Sequence, residues 1–189
     1  MIERLKKLIL ERSFKYSETP TFRLVCGEMS KFYFNCKPTT LSPEGQYLIG
    51  NLVFKVIRNK NIQAIGGLTL GADPIACAVA NESFRRGEPI EAFVVRKKLK
   101  DHGMVAKIEG NVKPGDRVIV VDDVVTTGQS TIQAIEAARE NGLMVVGVVV
   151  LVDREEMNGR QNIEKHVEYY HALITASEIL RFCNRSSIS

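Results

Sequence analysis

Residues 118–130, which read VIVVDDVVTTGQS, place two carboxylates, three hydroxyl groups and a glycine within one short span. The first four residues are apolar and rich in valine, so they predict a buried strand. Asp122 and Asp123 are expected where that strand ends. A helix is predicted from 131 to 140, with a capping box that begins at Ser130. The small and hydroxyl-bearing residues in between would form the turn that joins the strand to the helix.

Such a turn suits a phosphate, because backbone N–H groups, hydroxyls and the positive end of the helix dipole meet there. The two acids would repel a phosphate, so we expect them to face hydroxyl groups or positive charge, as on a ribose that develops a cation. One alternative is an ordinary strand–helix turn with surface acids. Another is a metal-binding strand end of the Walker B type, but this needs a GxxxxGK[ST] partner. The chain has none, since the glycines of residues 66–71 are followed by Ala72 and Asp73 without a lysine.

Composition and charge favour a globular protein with a small anionic substrate. Of 189 residues, 44% are hydrophobic and 25% are charged, which is ordinary for a single soluble domain. The net charge of +4 comes without a basic stripe with interleaved aromatics, so we expect no nucleic-acid partner. No apolar run approaches the roughly 20 residues of a membrane span, and we expect a cytoplasmic protein without membrane contact. Four cysteines without CxxC spacing predict reduced thiols.

Strands and helices are predicted to alternate along most of the chain. Apolar residues at helical spacing predict helices near the N-terminus and over residues 42–58 and 73–86. The β-branched strands between helices favour an α/β fold, an open, mostly parallel sheet with helices on both faces. The predicted strands are residues 62–65, 92–95, 118–121 and 143–152.

Four segments with polar, basic or glycine-rich character each follow a predicted strand. They are the glycine turn 66–71, the basic segment 96–100, the span 122–130, and the pair Asp153-Arg154. Because ligands of open parallel sheets lie beyond the carboxyl ends of the strands, we expect these segments around one crevice.

Residues 96–103, RKKLKDHG, form a basic loop with four cations and a histidine. Cations packed this closely repel one another, so we expect the loop to be mobile until an anion neutralises it. A pyrophosphate leaving group is such an anion, and clamping it would stabilise the transition state. The alternative is a solvated surface loop, as most runs of charge are.

The span 118–130 resembles the signature of the type I phosphoribosyltransferases, enzymes that use 5-phosphoribosyl 1-diphosphate (PRPP). In that family the paired acids hold the ribose hydroxyls and the threonine–glycine turn binds the 5′-phosphate. The turn 66–71 resembles the family's pyrophosphate-binding loop. The loop 96–103 resembles the catalytic loop of the orotate-specific members, which closes over the neighbouring subunit's site. Residues 32–35, FYFN, resemble the aromatic stretch against the pyrimidine, and Arg154 could grip a carboxylate with its two-pronged donor set.

The resemblance implies a role for each matching residue. Lys100, His102, Asp122 and Asp123 would be catalytic. Orotate would be bound by Tyr33, Phe34, Thr126 and Arg154. Mg²⁺ is the implied cofactor, coordinated by pyrophosphate and ribose oxygens and not directly by protein side chains. PRPP would be bound by Arg96, Lys97, Lys100, His102, Asp122, Asp123, Val124, Val125, Thr126, Thr127, Gly128, Gln129 and Ser130.

The implied function is transfer of the 5-phosphoribosyl group from PRPP to orotate in UMP biosynthesis, by a homodimer with shared catalytic loops. The implied architecture is one domain with the type I phosphoribosyltransferase fold, residues 1–189. Residues 1–40 would supply an N-terminal helix and part of the base pocket, and residues 96–110 a mobile catalytic loop. A purine phosphoribosyltransferase is an alternative that the KDHG loop and Arg154 argue against. A non-catalytic PRPP-sensing regulator is another, although it would need a separate nucleic-acid module.

One position departs from the pattern. Many members carry a lysine that contacts the phosphates a few residues before the aromatic stretch, and the aligned residue here is Val25. Lys31 and Lys37 are the two candidates to replace it.

Overall fold

The computed structural model describes residues 1–23, 27–96 and 108–186. Val25 and the predicted loop residues Lys97, Lys100 and His102 lie outside the described residues. Within the described ranges, no helix is both long and apolar enough to cross a membrane.

The described residues among the first forty form a helix, two small antiparallel ribbons and a short second helix. Helix α1 (Ile2–Arg12) buries Leu5, Leu8 and Ile9 in the core. After it come strands β1 (Phe14–Tyr16), β2 (Phe22–Arg23), β3 (Met29–Ser30) and β4 (Phe32–Phe34), and the short helix α2 (Lys37–Thr40). Strand β1 pairs with β4, and β2 pairs with β3.

The remaining described elements build one central sheet and the helices around it. They are α3 (Pro43–Ile57), β5 (Ala64–Leu68), α4 (Asp73–Arg85), β6 (Glu91–Val95), β7 (Ile108–Gly110), β8 (Arg117–Val125), α5 (Gln129–Glu140), β9 (Met144–Asp153), α6 (Gly159–Glu164), β10 (Tyr170–Thr175) and α7 (Ala176–Ser186). The six strands lie in the order β10-β9-β8-β5-β6-β7. All neighbours are parallel except β6 and β7, which are antiparallel.

Helices cover both faces of this sheet. Neighbouring residues of a strand point to opposite faces, so each strand contributes side chains to both cores. Ile119 and Val121 of β8 join the core on the side of α1, α3, α4 and α7. Val118 and Val120 join the core on the side of α5 and α6. The predicted α/β fold with a mostly parallel sheet is therefore confirmed.

The predicted helices at the N-terminus, 42–58 and 73–86 are also confirmed, as α1, α3 and α4. Helix α3 begins as its sequence indicates, since the Ser42 hydroxyl accepts a hydrogen bond from the Gly45 N–H at 3.1 Å.

The predicted glycine turn at 66–71 is wrong at its start, because Gly66 and Gly67 lie inside β5. This strand is central, between β8 and β6. A side chain at Gly66 would collide with the Phe93 carbonyl and ring, and one at Gly67 would collide with the Val121 carbonyl. These two glycines therefore permit close strand packing, and only the residues after Leu68 make the turn.

Asp122 and Asp123 lie within β8, whereas we expected them after the end of its strand. The strand continues because β9 runs beside it for its whole length, pairing Asp122 with Val150 and Val125 with Asp153. The polar residues thus occupy the carboxyl half of a long central strand.

The capping box predicted at Ser130 is wrong. Helix α5 begins earlier, after Gly128, whose φ of 81° lies in the left-handed region that glycine adopts readily. Ser130 is consequently inside the first turn, and no side chain caps the helix. Similarly, residues 108–110 of the predicted loop 96–110 form β7, since they pair with the outer edge of β6.

Candidate active site

A cavity of about 320 Å³ opens where β8 and β9 end. Side chains from the N-terminal ribbons close its other side. It is lined by Arg23, Tyr33, Phe34, Asn35, Lys37, Asp123, Val124, Thr126, Thr127, Gln129 and Arg154. Two of the four segments predicted to surround one crevice therefore line the cavity, the span 122–130 and Arg154, and the aromatic stretch 32–35 adds a further wall.

The two acids occupy different environments because they are consecutive residues of a strand. The Asp123 side chain borders the cavity and is 14% exposed. Asp122 is buried, and its carboxylate accepts hydrogen bonds from the Thr131 hydroxyl at 2.8 Å and from the Asp123 N–H at 2.9 Å. Gly71 lies against both, since a Cβ there would collide with the Asp123 carboxylate. The turn after β5 thus lies against the acids, as the predicted crevice requires.

Burial, and secondarily the charge of Asp123, raises the pKa of Asp122 to about 7. The hydrogen bond from Thr131 opposes this shift. Near neutral pH, the Asp122 carboxyl group is therefore partly protonated.

This raised pKa predicts how the stability of the protein depends on pH. The folded state keeps a proton that the unfolded chain loses above about pH 4. The free energy of unfolding should therefore fall as pH rises from about 4 to about 7, and the loss should be complete above that range. Asp122→Asn cannot ionise, so it should be more stable than the wild type at pH 8, by about 2–4 kcal/mol. Denaturant unfolding at pH 5 and pH 8 measures this difference, and an equal effect at both pH values would contradict the assignment.

The turn at residues 126–128 is held in place by α6. The Thr127 carbonyl accepts a hydrogen bond from the Asn162 amide at 3.0 Å. Gly128 lies against Gly159 and Ile163, where a Cβ would approach to 2.9 Å. The first backbone N–H groups of α5, such as that of Gln129, thus lie beside the cavity that Gln129 lines. This is the geometry that suits a phosphate.

Arg154 is 4% exposed, so it is neither a surface arginine nor a helix cap. Its backbone N–H donates to the Val125 carbonyl at 3.0 Å, which fixes it to the end of β8. Its guanidinium donates through Nε to Glu156 at 2.9 Å. Nη2 donates to the Ser30 hydroxyl at 3.2 Å and to the Phe32 carbonyl at 3.0 Å. The arginine therefore ties β9 to the N-terminal ribbons and presents its guanidinium at the cavity.

Two aromatic residues of β4, Tyr33 and Phe34, border the cavity but differ in how far they are exposed. Tyr33 is 40% exposed and stacks on Phe22, with ring centroids 6.0 Å apart. Phe34 also borders the cavity, but it is 5% exposed and packs against Phe14 with ring centroids at 5.0 Å. Only Tyr33 offers a largely accessible ring to a ligand.

Several predicted site residues do not line the cavity. Val125 is buried beneath it and packs in the core. Arg96 lies 3.7 Å from Glu109. Gly128 and Ser130 contribute backbone at the start of α5. Lys97, Lys100 and His102 lie outside the described residues.

Arg23 lines the cavity without a predicted role, and Asn35 was predicted only as the last residue of the aromatic stretch 32–35. Lys37 was recognised only as one of two alternatives to a family lysine. Its Nζ lies 3.9 Å from the Asp123 carboxylate. The signal available in the sequence was a lysine two residues after the aromatic stretch 32–35.

The described residues contain no group of three or more histidine, cysteine or acidic side chains that could hold a metal ion. Asp123 lines the cavity, Asp122 behind it is buried and hydrogen-bonded, and Glu156 is paired with Arg154. Such a donor set fits a cation that is coordinated mainly by the oxygens of a substrate.

The fold and this arrangement of acids, turn and helix start define a phosphoribosyltransferase. The phosphoribosyl transferase domain family matches residues 42–176. The orotate phosphoribosyltransferase of Aquifex aeolicus (strain VF5) is 49% identical over 178 residues, which cover 94% of this chain and 97% of that protein. The chain therefore belongs to the orotate phosphoribosyltransferases.

Solved structures agree. A crystal structure of orotate phosphoribosyltransferase from Mycobacterium tuberculosis H37Rv has a TM-score of 0.79 and 35% identity, covering 94% of this chain and 98% of that one. A second structure of that enzyme, in complex with PRPP, has a TM-score of 0.74 and 31% identity, covering 94% of this chain and 90% of that one.

Proposed function

We propose that this protein transfers the 5-phosphoribosyl group of PRPP to orotate, releasing orotidine 5′-monophosphate and pyrophosphate in UMP biosynthesis. The observation that carries this proposal is the position of Arg154. A buried guanidinium borders the same cavity as Asp123 and the turn at 126–128. A carboxylate-bearing base could therefore meet an arginine while a phosphorylated ribose lies against the acids and the turn.

The proposal gives a role to each of the site residues. The backbone N–H groups at the start of α5, with the Thr126 and Thr127 hydroxyls, bind the 5′-phosphate. Asp123 accepts hydrogen bonds from the ribose hydroxyls, and its charge stabilises the positive charge that develops at the glycosidic carbon. Asp122 positions Asp123 by accepting a hydrogen bond from the Asp123 backbone N–H. The Tyr33 ring packs on the pyrimidine face, and Lys100 and His102 neutralise the departing pyrophosphate.

Mg²⁺ is the proposed cofactor, and it supplies positive charge to the diphosphate when bound. Asp123 and the ribose hydroxyls that it holds would be the protein's indirect contribution to that ion. The remaining ligands would be pyrophosphate oxygens and water, as the donor set around the cavity suggests.

We also propose one domain over residues 1–189, acting in the cytoplasm as a homodimer with a shared catalytic loop. Tyr47 on α3 and Phe84 on α4 are 57% and 77% exposed, which supports a subunit interface on these helices. Cys36 and Cys77 carry free thiols, which supports a reducing compartment.

Arg154 provides the test of base choice. Arg154→Ala should raise the KM for orotate strongly and leave the KM for PRPP nearly unchanged. Loss of a charge-assisted, two-pronged contact should cost about 2–4 kcal/mol in orotate binding. Steady-state kinetics with each substrate varied in turn measure the two KM values.

Arg160 offers the matched control, because it is an exposed arginine on the nearby α6 and pairs with Glu164 at 2.8 Å. Arg160→Ala should change neither KM. Equal damage to both substrates in Arg154→Ala would mean that the arginine only ties the ribbons to β9. A purine base as the preferred acceptor of the wild-type protein would favour the purine phosphoribosyltransferase alternative.

A further inference from the structure

Lys37 lines the cavity, and its positive charge could contact an anionic part of the substrate. Its Nζ is 3.9 Å from a carboxylate oxygen of Asp123, and both side chains line the cavity. This distance is too long for a direct hydrogen bond, so the ammonium is near the acid without being held tightly by it. The Lys37 side chain is 46% exposed, and such a contact can be exchanged for a better one at little cost.

The backbone of Lys37 is fixed, although its side chain is not. The preceding residue, Cys36, is fully buried in the core. Thr39 is also buried, and its hydroxyl bonds with that of Ser13 at 2.7 Å. The Leu41 N–H donates to the Lys37 carbonyl at 3.0 Å. Lys37 therefore extends a flexible, charged side chain over the cavity from a rigid base.

The neighbours of Lys37 indicate which part of PRPP it would reach. Asn35 and Tyr33, from the proposed base pocket, line the same cavity as Lys37. The Lys37 ammonium lies 3.9 Å from the carboxylate of Asp123, the residue proposed to hold the ribose hydroxyls. This distance to Asp123 places Lys37 near the ribose and therefore near the carbon at which base and diphosphate exchange.

A cation between Asp123 and the diphosphate would reduce repulsion there, in addition to the proposed Mg²⁺ and loop cations. A diphosphate bound there would lie close to Asp123, and like charges at short range repel. Of the two other basic residues in the cavity wall described here, Arg154 is already bonded to Glu156, and Arg23 is exposed on β2.

From these observations, and resting on the proposed function, we propose that Lys37 exchanges its contact with Asp123 for hydrogen bonds to the diphosphate of PRPP. Lys37 is thus a substrate-binding residue that supplies the positive charge missing at Val25. In the free protein it offsets the charge of Asp123, and in the complex it offsets the charge of the diphosphate. Lys31, the other candidate, is an exposed residue between β3 and β4 and does not line the cavity.

The test measures binding of separate parts of the substrate by calorimetry, with Mg²⁺ present throughout. Lys37→Gln should weaken binding of pyrophosphate and PRPP by roughly 10- to 100-fold, as expected for loss of a charge-assisted hydrogen bond. Binding of ribose 5-phosphate should be unchanged. Lys37→Arg should retain most of the affinity, and the control Lys31→Gln should bind all three ligands as the wild type does.

Two results would overturn the inference: wild-type pyrophosphate affinity in Lys37→Gln, or an equal loss of pyrophosphate and ribose 5-phosphate affinity, which would indicate a structural role. Asp123→Asn distinguishes failure of the inference from failure of the proposed function. If Asp123→Asn weakens PRPP binding and Lys37→Gln does not, only the inference about Lys37 is wrong. If neither variant affects PRPP binding, the proposed substrate site is wrong as well.

Discussion

Replacing Asp123 with asparagine is expected to lower kcat by two or more orders of magnitude while the protein remains folded. Asparagine keeps the size of the side chain and can still accept the hydrogen bond from the Val124 N–H, which is 3.0 Å long. It removes the negative charge that would stabilise the cation developing on the ribose. Losing a preorganised charge of this kind typically costs about 10²–10³ in kcat. The rate of orotidine 5′-monophosphate formation at saturating substrates measures the effect.

Asp122→Asn should also lower kcat: the amide oxygen can still accept the hydrogen bond from the Asp123 N–H, which is 2.9 Å long, but the negative charge that Asp122 adds beside Asp123 is lost. The matched control is Asp116→Asn. Asp116 precedes the other end of β8, where it accepts a hydrogen bond from the Lys113 N–H, far along the strand from the cavity. This control should retain wild-type kcat. Unchanged kcat in both Asp122→Asn and Asp123→Asn would reject the ribose role and favour ordinary surface acids.

A mixture of two inactive variants is expected to regain activity if the catalytic loop serves the neighbouring subunit. Lys100→Ala removes a loop cation, and Asp123→Asn removes the acid of the turn. In a mixed dimer, one site would combine an intact loop with intact acids, and the other would carry both lesions. Random exchange makes about half of the dimers mixed, so roughly a quarter of wild-type activity should return.

A loop that acts within its own subunit gives a different outcome, since every site would then contain one lesion. Activity at the level of the separate variants, with subunit exchange confirmed by differently tagged chains, would reject the shared loop. The assignment of Asp123 and Arg154 would be unaffected, because both lie in one chain and border one cavity.

The fold was largely predictable because its strands are long, apolar and rich in valine. The alternation of Val118 and Val120 with Ile119 and Val121 between two cores follows directly from such a strand. Strand β10 was not predicted, since Tyr170–Thr175 has an apolar run of only three residues and no clear alternation of apolar and polar residues. Its place in the sheet comes from pairing with β9, a contact distant in sequence.

The candidate site was predictable where one short segment carries the chemistry and not where distant segments meet. Asp123 and the turn after it are consecutive in the sequence, and the resemblance to a family identified them together. The environment of Arg154 depends on Ser30, which is 124 residues away and so gave no local signal. Lys37 lies near Asp123, which is also distant in the sequence. The different environments of Asp122 and Asp123 were not predictable, because the apolar run 118–121 indicated a strand that ended before them. Both acids in fact lie within the longer strand β8.

Release of pyrophosphate from PRPP, measured with and without orotate in the presence of Mg²⁺, tests the central claim most directly. We expect release that depends on orotate and that matches, mole for mole, the orotidine 5′-monophosphate formed. Adenine, hypoxanthine and uracil, which lack the carboxylate that Arg154 would bind, should support little or no release. Release that is independent of orotate, or that is faster with a purine base, would contradict the assignment of this cavity to orotate and PRPP.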